Sequence, residues 1–376
     1  MTFKKAIGKL HLWLGLSSGL VVFIVSLTGA IFTFQDEIRD ATQPWRHVAV
    51  PAHAPLPPSR LQAAVVAQHP GALPSWTTYY ASDRSATVYL TEKAGGNYIA
   101  TLNPYTAQVL DERDMTRDFF TIVQDIHMYL LIPNPWGEWI VAISITIFLV
   151  MLATGLVLWW PKRKQERKQR LTIKWGAKWR RLNYDLHQVL GFYIAIGAFI
   201  IALSGVVMIF GSWMQAASLA VNGGQHYPLE EMPPKVDTLI ATTAPAQPLV
   251  DVAYQQVRRG SPTAEMVIVG PAADRKNPIY CLTYQKALHF YHRDEYYFHP
   301  VSGQLLRALP HATKSNGKKL GDMNYDLHTG QLLGLGGKII AFLVSLISAS
   351  LPITGTLLWW GRRNKTPKKR LVAVAS

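Results

Sequence analysis

Four stretches of this chain hold no Asp, Glu, Lys or Arg: Leu12–Phe34, Trp139–Trp160, Leu190–Trp213 and Ile339–Trp360. Each is longer than 20 residues, enough for a helix to cross about 30 Å of hydrocarbon. In lipid the backbone must satisfy its own hydrogen bonds, and a helix does so within one segment. The polar stretches between, about 36–125 and 214–326, are long enough to fold separately. A membrane α-helical bundle of four transmembrane helices with two extramembrane domains is therefore expected. Lys4, Lys5 and Lys9 precede the first run as they would in a signal peptide. That run outlasts the roughly 7–15 apolar residues of such a peptide, so a retained helix is expected.

Charge orients the spans. The net charge is +15, and 19 of the 38 Lys and Arg residues lie in three short segments. The amino terminus holds three, residues 161–181 hold ten against the single acid Glu166, and 361–370 hold six. The positive-inside rule puts these segments, and both termini, in the cytoplasm. Both larger domains are near charge balance and fall on the opposite side. Contact with anionic lipid accounts for the basic runs, so no nucleic-acid partner is expected. The pairs Trp159-Trp160 and Trp359-Trp360, with Trp136, Trp139 and Trp213, fit interfacial belts.

The chain reads as one unit repeated in parallel. Asn-Tyr-Asp-Leu-His occurs at 183–187 and 324–328, with Gln-Asp-Ile-His at 124–127. His11 and His187 each precede a glycine by 18 residues, Gly29 after Thr28 and Gly205 after Ser204. Thr154-Gly155 and Thr354-Gly355 each open a stretch ending in Trp-Trp, and follow His127 and His328 at nearly equal spacing. A break at Pro133-Asn134-Pro135 follows His127 and has no evident counterpart after His328. In the polar stretches, Leu61–Gln68 and Val250–Arg258 read as amphipathic helices. Strand-like segments follow, such as Ala86–Leu90 and Met266–Val269, then hairpins at Tyr98–Leu110 and Tyr296–Leu306. Pro-rich stretches at 51–58 and 228–248 read as connectors.

Histidine is costly in a bilayer, so four at span ends mark a site. His11 and His187 fall near the cytoplasmic face, His127 and His328 near the opposite face. A pseudo-two-fold axis along the membrane normal would let each pair face across it. Zinc usually takes three or four protein ligands, and two histidines underfill it. Haem needs only axial ligands and an apolar slot, for which Gly15, Gly19, Ser17, Ser18, Gly191 and Gly197 offer room. Cys281 is the only cysteine, which excludes covalent haem and cysteine-ligated clusters. The expectation is two non-covalent b-type haems, held by His11 with His187 and by His127 with His328. Asp125, Asp185 and Asp326 precede three of these histidines by two residues and point away from them on a helix. They are expected to cap helices or to contact the other half. The chain shows no strand–GxGxxG–helix fingerprint, so electrons must come from an external donor, a quinol or a cytoplasmic flavoprotein. His289, His292 and His299 lie in an aromatic stretch that reads as strand, with His299 before the turn at Pro300.

Leu-His-x-x-x-Gly opening a span, a helix–strand–hairpin module and a Thr-Gly-x-x-Leu-Trp-Trp exit resemble the PepSY-associated transmembrane proteins, over nearly the whole chain twice. Within that group the chain looks most like the FoxB-type inner-membrane ferric-siderophore reductases. The resemblance implies a multi-pass protein of the bacterial inner membrane with two small periplasmic α+β PepSY-like domains. It implies haem ligation by the four histidines and an oxidoreductase that reduces ferric siderophores on the periplasmic side. A haem relay to another periplasmic acceptor, and a non-enzymatic tethered PepSY module that binds or inhibits a partner, stay open beside it. The expected division is helix 1 over 1–35, domain 1 over 36–125, helix 2 over 126–161 and a basic loop over 162–183. Helix 3 over 184–213, domain 2 over 214–326, helix 4 over 327–361 and a basic tail over 362–376 complete it.

Overall fold

A computed structural model describes residues 2–92, 95–236, 245–271 and 275–363. The basic tail beyond 363 and part of the connector at 228–248 lie outside them. In chain order the helices are α1 Phe3–Thr33, α2 Gln35–Thr42, α3 Pro58–Gln68, α4 Phe119–Tyr129, α5 Trp136–Trp159 and α6 Glu166–Leu171. They continue with α7 Trp179–Asp185, α8 Gly191–Ile209, α9 Gly211–Val221, α10 Leu249–Gly260, α11 Asn316–Thr329 and α12 Gly334–Arg363. The strands are β1 Leu73–Tyr79, β2 Ala86–Thr91, β3 Asn97–Leu102, β4 Val109–Asp114, β5 Met266–Val269, β6 Ile279–Tyr284, β7 Arg293–Phe298 and β8 Leu305–Leu309. The described residues fall into two units. One draws on Met1–Ile31, Asp125–Ile209 and Ile339–Ser376, the other on Phe32–Gln124 and Phe210–Lys338.

The helical unit is built from the apolar runs. Four helical stretches are long and apolar enough to cross a membrane: Phe3–Thr33, Trp136–Trp159, Trp179–Ile209 and Gln331–Arg363. Val22, Phe148, Leu152, Ile194, Ala198, Ala202 and Val344 interlock at their centre. Glycine permits the close approach at one point in particular, since a Cβ on Gly197 would stand 3.0 Å from Val344 Cγ2. Gly197 therefore serves helix packing. The third span is not one uniform helix. Leu186–Leu190 form a π-helical turn between α7 and α8, and His187 lies in it. Such turns often mark functional positions. Basic residues of 161–181 also close helix ends, as Arg170 donates to Trp159 O at 2.8 Å.

Neither His127 nor His328 stands on the long apolar helix that follows it. His127 belongs to α4, parted from α5 by Leu130 and Leu131 at positive φ and by the proline turn. His328 belongs to α11, parted from α12 by Gly330 at φ 78° and Gly334 at φ 61°. The proline break thus has a counterpart after His328, built from glycine. Both residues adopt left-handed backbone that a side chain resists.

In the other unit, helix followed by four strands occurs twice: α3 with β1–β4 and α10 with β5–β8. The eight strands form one antiparallel sheet in the order β4-β3-β2-β1-β5-β6-β7-β8. The two modules thus share a sheet through β1 and β5, which pair Thr77 with Val269, Thr78 with Ile268 and Tyr79 with Val267. Alternation along the strands sends Val88, Leu90, Ala100, Leu102, Val269, Cys281 and Phe298 to one core. There they meet Leu61 and Val65 of α3 and Ala253, Tyr254 and Val257 of α10. Each large apolar side chain buried there contributes about 1.5–3 kcal/mol. Tyr79 stacks on Tyr254 with centroids 4.5 Å apart. Asp251 of α10 accepts from Ser59 N of α3 at 2.8 Å. Burial pushes the Cys281 thiol up to about 12, so it remains a neutral packing group.

A second core is ionic. The Lys314 ammonium is fully buried and contacts Glu295 at 2.9 Å and Asp322 at 2.6 Å. Arg293 and Lys318 complete the cluster. Burial alone would raise the Glu295 carboxyl, but Lys318 and Lys314 hold it at about 2.

Candidate haem site

His11 projects from the first turns of α1 and His187 from the π-helical turn. Their ring centroids are 6.4 Å apart with planes at 86°. Two imidazoles bound through nitrogen to one metal, at about 2.0 Å each, put their centroids about 6.3 Å apart. The two rings thus stand at bridging distance for a single metal ion.

The backs of both rings are held alike. His11 Nδ1 lies 2.9 Å from Thr154 Oγ1 on α5. His187 Nδ1 lies 2.9 Å from Thr354 Oγ1 on α12. The residue after each threonine makes room for the ring: a Cβ on Gly155 would stand 3.4 Å from His11 Cε1, and one on Gly355 3.2 Å from His187 Cε1. With Nδ1 engaged, Nε2 is left for the cavity that both rings line.

That cavity has a volume of about 430 Å³, within the usual range for cofactor sites of roughly 300–1,000 Å³. Its walls are mostly apolar, with Leu12, Leu16, Phe148, Leu152, Phe192 and Leu351 among them. Gly15, Gly19, Ser18 and Gly191 line it as expected, whereas Ser17 points outward and donates to Leu14 O. Trp159 is a wall of the cavity as well as a boundary residue, stacked on Phe192 at 3.7 Å. Arg362 is the one Lys, Arg, Asp or Glu among the described lining residues.

His127 repeats the arrangement further along α1. Its Nδ1 lies 2.9 Å from Val25 O and 3.3 Å from Thr28 Oγ1. A Cβ on Gly29 would stand only 2.9 Å from its Cε1. His328 lies on α11, in the unit that holds the sheet. The structure therefore brings His11 and His187 together and seats His127 against α1. Threonine and glycine of the Thr-Gly pairs seat these rings, a part that sequence reasoning did not give them. Their recurrence near matched histidines was the signal.

Asp185 and Asp326 are held by nearby groups. Asp185, fully buried, pairs with Arg181 one turn earlier at 2.9 Å. Asp326 accepts from Tyr291 N at 2.8 Å, and burial pushes its carboxyl up. Asp125 stands one turn before Tyr129 on α4. In the aromatic stretch, His289 Nε2 lies 2.9 Å from Gln331, and the His292 and His311 rings lie with centroids 4.4 Å apart and planes tilted by 51°. His299 accepts from Val301 N and Ser302 N within its turn.

Among the described residues no three His, Cys, Asp or Glu side chains converge to hold a metal ion. His11 and His187 thus supply two of the three or four protein ligands that an ion held by protein alone usually takes. A metal that brings its own equatorial ligands needs only the pair, with an apolar slot around it. The ring spacing, the anchored Nδ1 atoms and the apolar walls all fit haem.

Comparison with curated proteins finds no match. The family model of the PepSY-associated TM region matches residues 9–362. That match spans both extramembrane modules and all four apolar helices, and the chain belongs to the family of the PepSY-associated TM region.

Proposed function

We propose that the chain is a di-haem b electron-transfer protein of the bacterial inner membrane. Its activity is that of a FoxB-type reductase, passing single electrons to ferric siderophores on the periplasmic side. The observation that carries this reading is the His11–His187 pair, 6.4 Å apart in an apolar cavity with both Nδ1 atoms anchored.

The charge pattern supports the orientation. Basic segments flank the His11 and His187 ends of the spans, which supports that pair at the cytoplasmic leaflet and His127 and His328 at the periplasmic leaflet. The same segments contact anionic lipid. Repetition of the helix-plus-four-strands order, and of His with Thr-Gly, supports an internal duplication.

Haem, when bound, supplies reversible one-electron chemistry. The protein's part is positional. His11 and His187 would hold the group through Nε2, and the apolar side chains around them would exclude water. Arg362 lines the cavity and complements the carboxylates that such a macrocycle carries. His127 and His328 do the equivalent work at the other leaflet. Ferric iron in a siderophore is a hard cation held by oxygen, and lowering its charge weakens that hold. The electron itself comes from a quinol or a cytoplasmic flavoprotein.

Purified protein is expected to carry two haems. His11→Ala or His187→Ala removes one, and His127→Ala or His328→Ala removes the other, read as haem per chain. Dithionite-reduced protein is then reoxidised by a ferric siderophore, with ferrous iron trapped by a chelator. Absence of a Soret band after expression with ample haem refutes the haem reading. Two haems without reoxidation across a varied siderophore panel point to another periplasmic acceptor.

A further inference from the structure

A hydroxyl carries one proton, and the geometry around Thr154 and Thr354 shows where each goes. Thr154 Oγ1 donates to Met151 O at 3.1 Å. Thr354 Oγ1 donates to Ser350 O at 3.0 Å and to Leu351 O at 3.1 Å. Each proton is committed to its own helix, as threonine in apolar helices commonly arranges. What each hydroxyl offers the nearby imidazole, at 2.9 Å, is a lone pair. Nδ1 must then be the protonated nitrogen of both rings, and Nε2 the bare one.

We infer that Thr154 and Thr354 are positioning residues: they fix His11 and His187 in the tautomer that coordinates iron through Nε2, and they set the redox balance of that iron. The inference rests on the haem reading above. An acceptor on Nδ1–H raises the electron donation of the imidazole and so favours ferric iron. A carboxylate would do so more strongly but would bring a charge into hydrocarbon. Threonine gives a neutral acceptor whose own proton is already satisfied.

Thr28 supplies an internal comparison. At His127 the Val25 carbonyl is the near acceptor, at 2.9 Å, and Thr28 stands back at 3.3 Å. The hydroxyl of Thr28 is therefore the less important of the three.

The test uses full-length, haem-loaded protein. Thr154→Val with Thr354→Val keeps the shape and removes both hydroxyl acceptors, while Thr154→Ser with Thr354→Ser keeps them. The readouts are the midpoint potential and the low-spin ferric resonance of the His11–His187 haem. Loss of the acceptors is expected to shift the ferric–ferrous balance about tenfold toward ferrous, which is 59 mV for one electron. The serine variant is expected to stay near wild type and Thr28→Val to shift less. Loss of that haem in the valine variant, with retention in the serine variant, gives the same support. A valine variant with wild-type potential and resonance overturns the inference while leaving the haem reading intact. Serine and valine variants that change alike also overturn it. Wild-type protein that takes up no haem overturns both.

Discussion

Glycine beside each histidine makes a quantitative prediction. Carbon atoms meet comfortably at about 3.5–4.0 Å. A Cβ at Gly29 would lie 2.9 Å from His127 Cε1 and 3.3 Å from its Nδ1. Gly29→Ala must therefore drive the ring back by roughly 0.6 Å. Coordination geometry tolerates only about 0.5 Å, so the His127 haem should be lost. The corresponding contacts are 3.2 Å at Gly355 and 3.4 Å at Gly155, asking for displacements of about 0.3 and 0.1 Å. Gly155→Ala should keep both haems, and Gly355→Ala should keep both with an altered His11–His187 spectrum. Overpacking of this kind costs about 1–3 kcal/mol. Against it stands a gain of about 0.8–1.0 kcal/mol from alanine within a helix. The fold should therefore survive, and the haem at His11 and His187 reports that it has. The assay is haem per chain with the reduced-minus-oxidised spectrum. A Gly29→Ala protein with two haems and an unchanged spectrum would refute the role given to these glycines.

Three further outcomes concern the sheet unit. Lys314→Met leaves the buried Glu295 and Asp322 short of a partner and is expected to cost about 3–5 kcal/mol, measured as a lowered unfolding midpoint in detergent. Glu295 is held at about 2 in the fold, below the ordinary value of about 4.3. Its stabilisation should be complete above that value and fade as pH falls toward 2, and Glu295→Gln should flatten that part of the acid profile. Glu112 and Glu92 hold His69 above its ordinary range by hydrogen bonds to both ring nitrogens. That contribution, about 1 kcal/mol or less for a surface cluster, is full below roughly pH 6.5 and is lost as pH rises through the shifted value. An unfolding midpoint indifferent to His69→Gln across that window would remove the argument.

The spans were legible because apolar runs in water have few alternatives, and the histidines because their cost in lipid demands a reason. The amphipathic helices and both hairpins were legible from period and turn chemistry. The β1–β5 seam was not. Thr77-Thr78-Tyr79 and Val267-Ile268-Val269 carry strand propensity, but propensity names no partner, and one shared sheet looks locally like two. The break after His328 was hidden for another reason. Gly330 and Gly334 were visible, but glycine in an apolar stretch serves packing as readily as it serves a positive φ. Proline after His127 has no such double meaning.

The hidden regularity was reciprocal. In the sequence the spacing runs along each span, from its own histidine to its own glycine. The contacts run between spans: His11 of α1 meets Thr154-Gly155 of α5, and His127 of α4 meets Thr28-Gly29 of α1. In an antiparallel pair, a histidine near one end must find its partner motif at the far end of its neighbour. The 18 residues from His11 to Gly29 on continuous α1 then rise about 27 Å. That is close to the hydrocarbon thickness of about 30 Å. On the proposed reading, one helix carries a ligand for one leaflet and the seat of a ligand for the other, and the membrane sets the interval between them. A spacing conserved between the two halves of the chain, 18 residues from His11 to Gly29 and from His187 to Gly205, is what that geometry requires of any chain holding two sites at opposite faces. A site at one face alone would place no constraint on it.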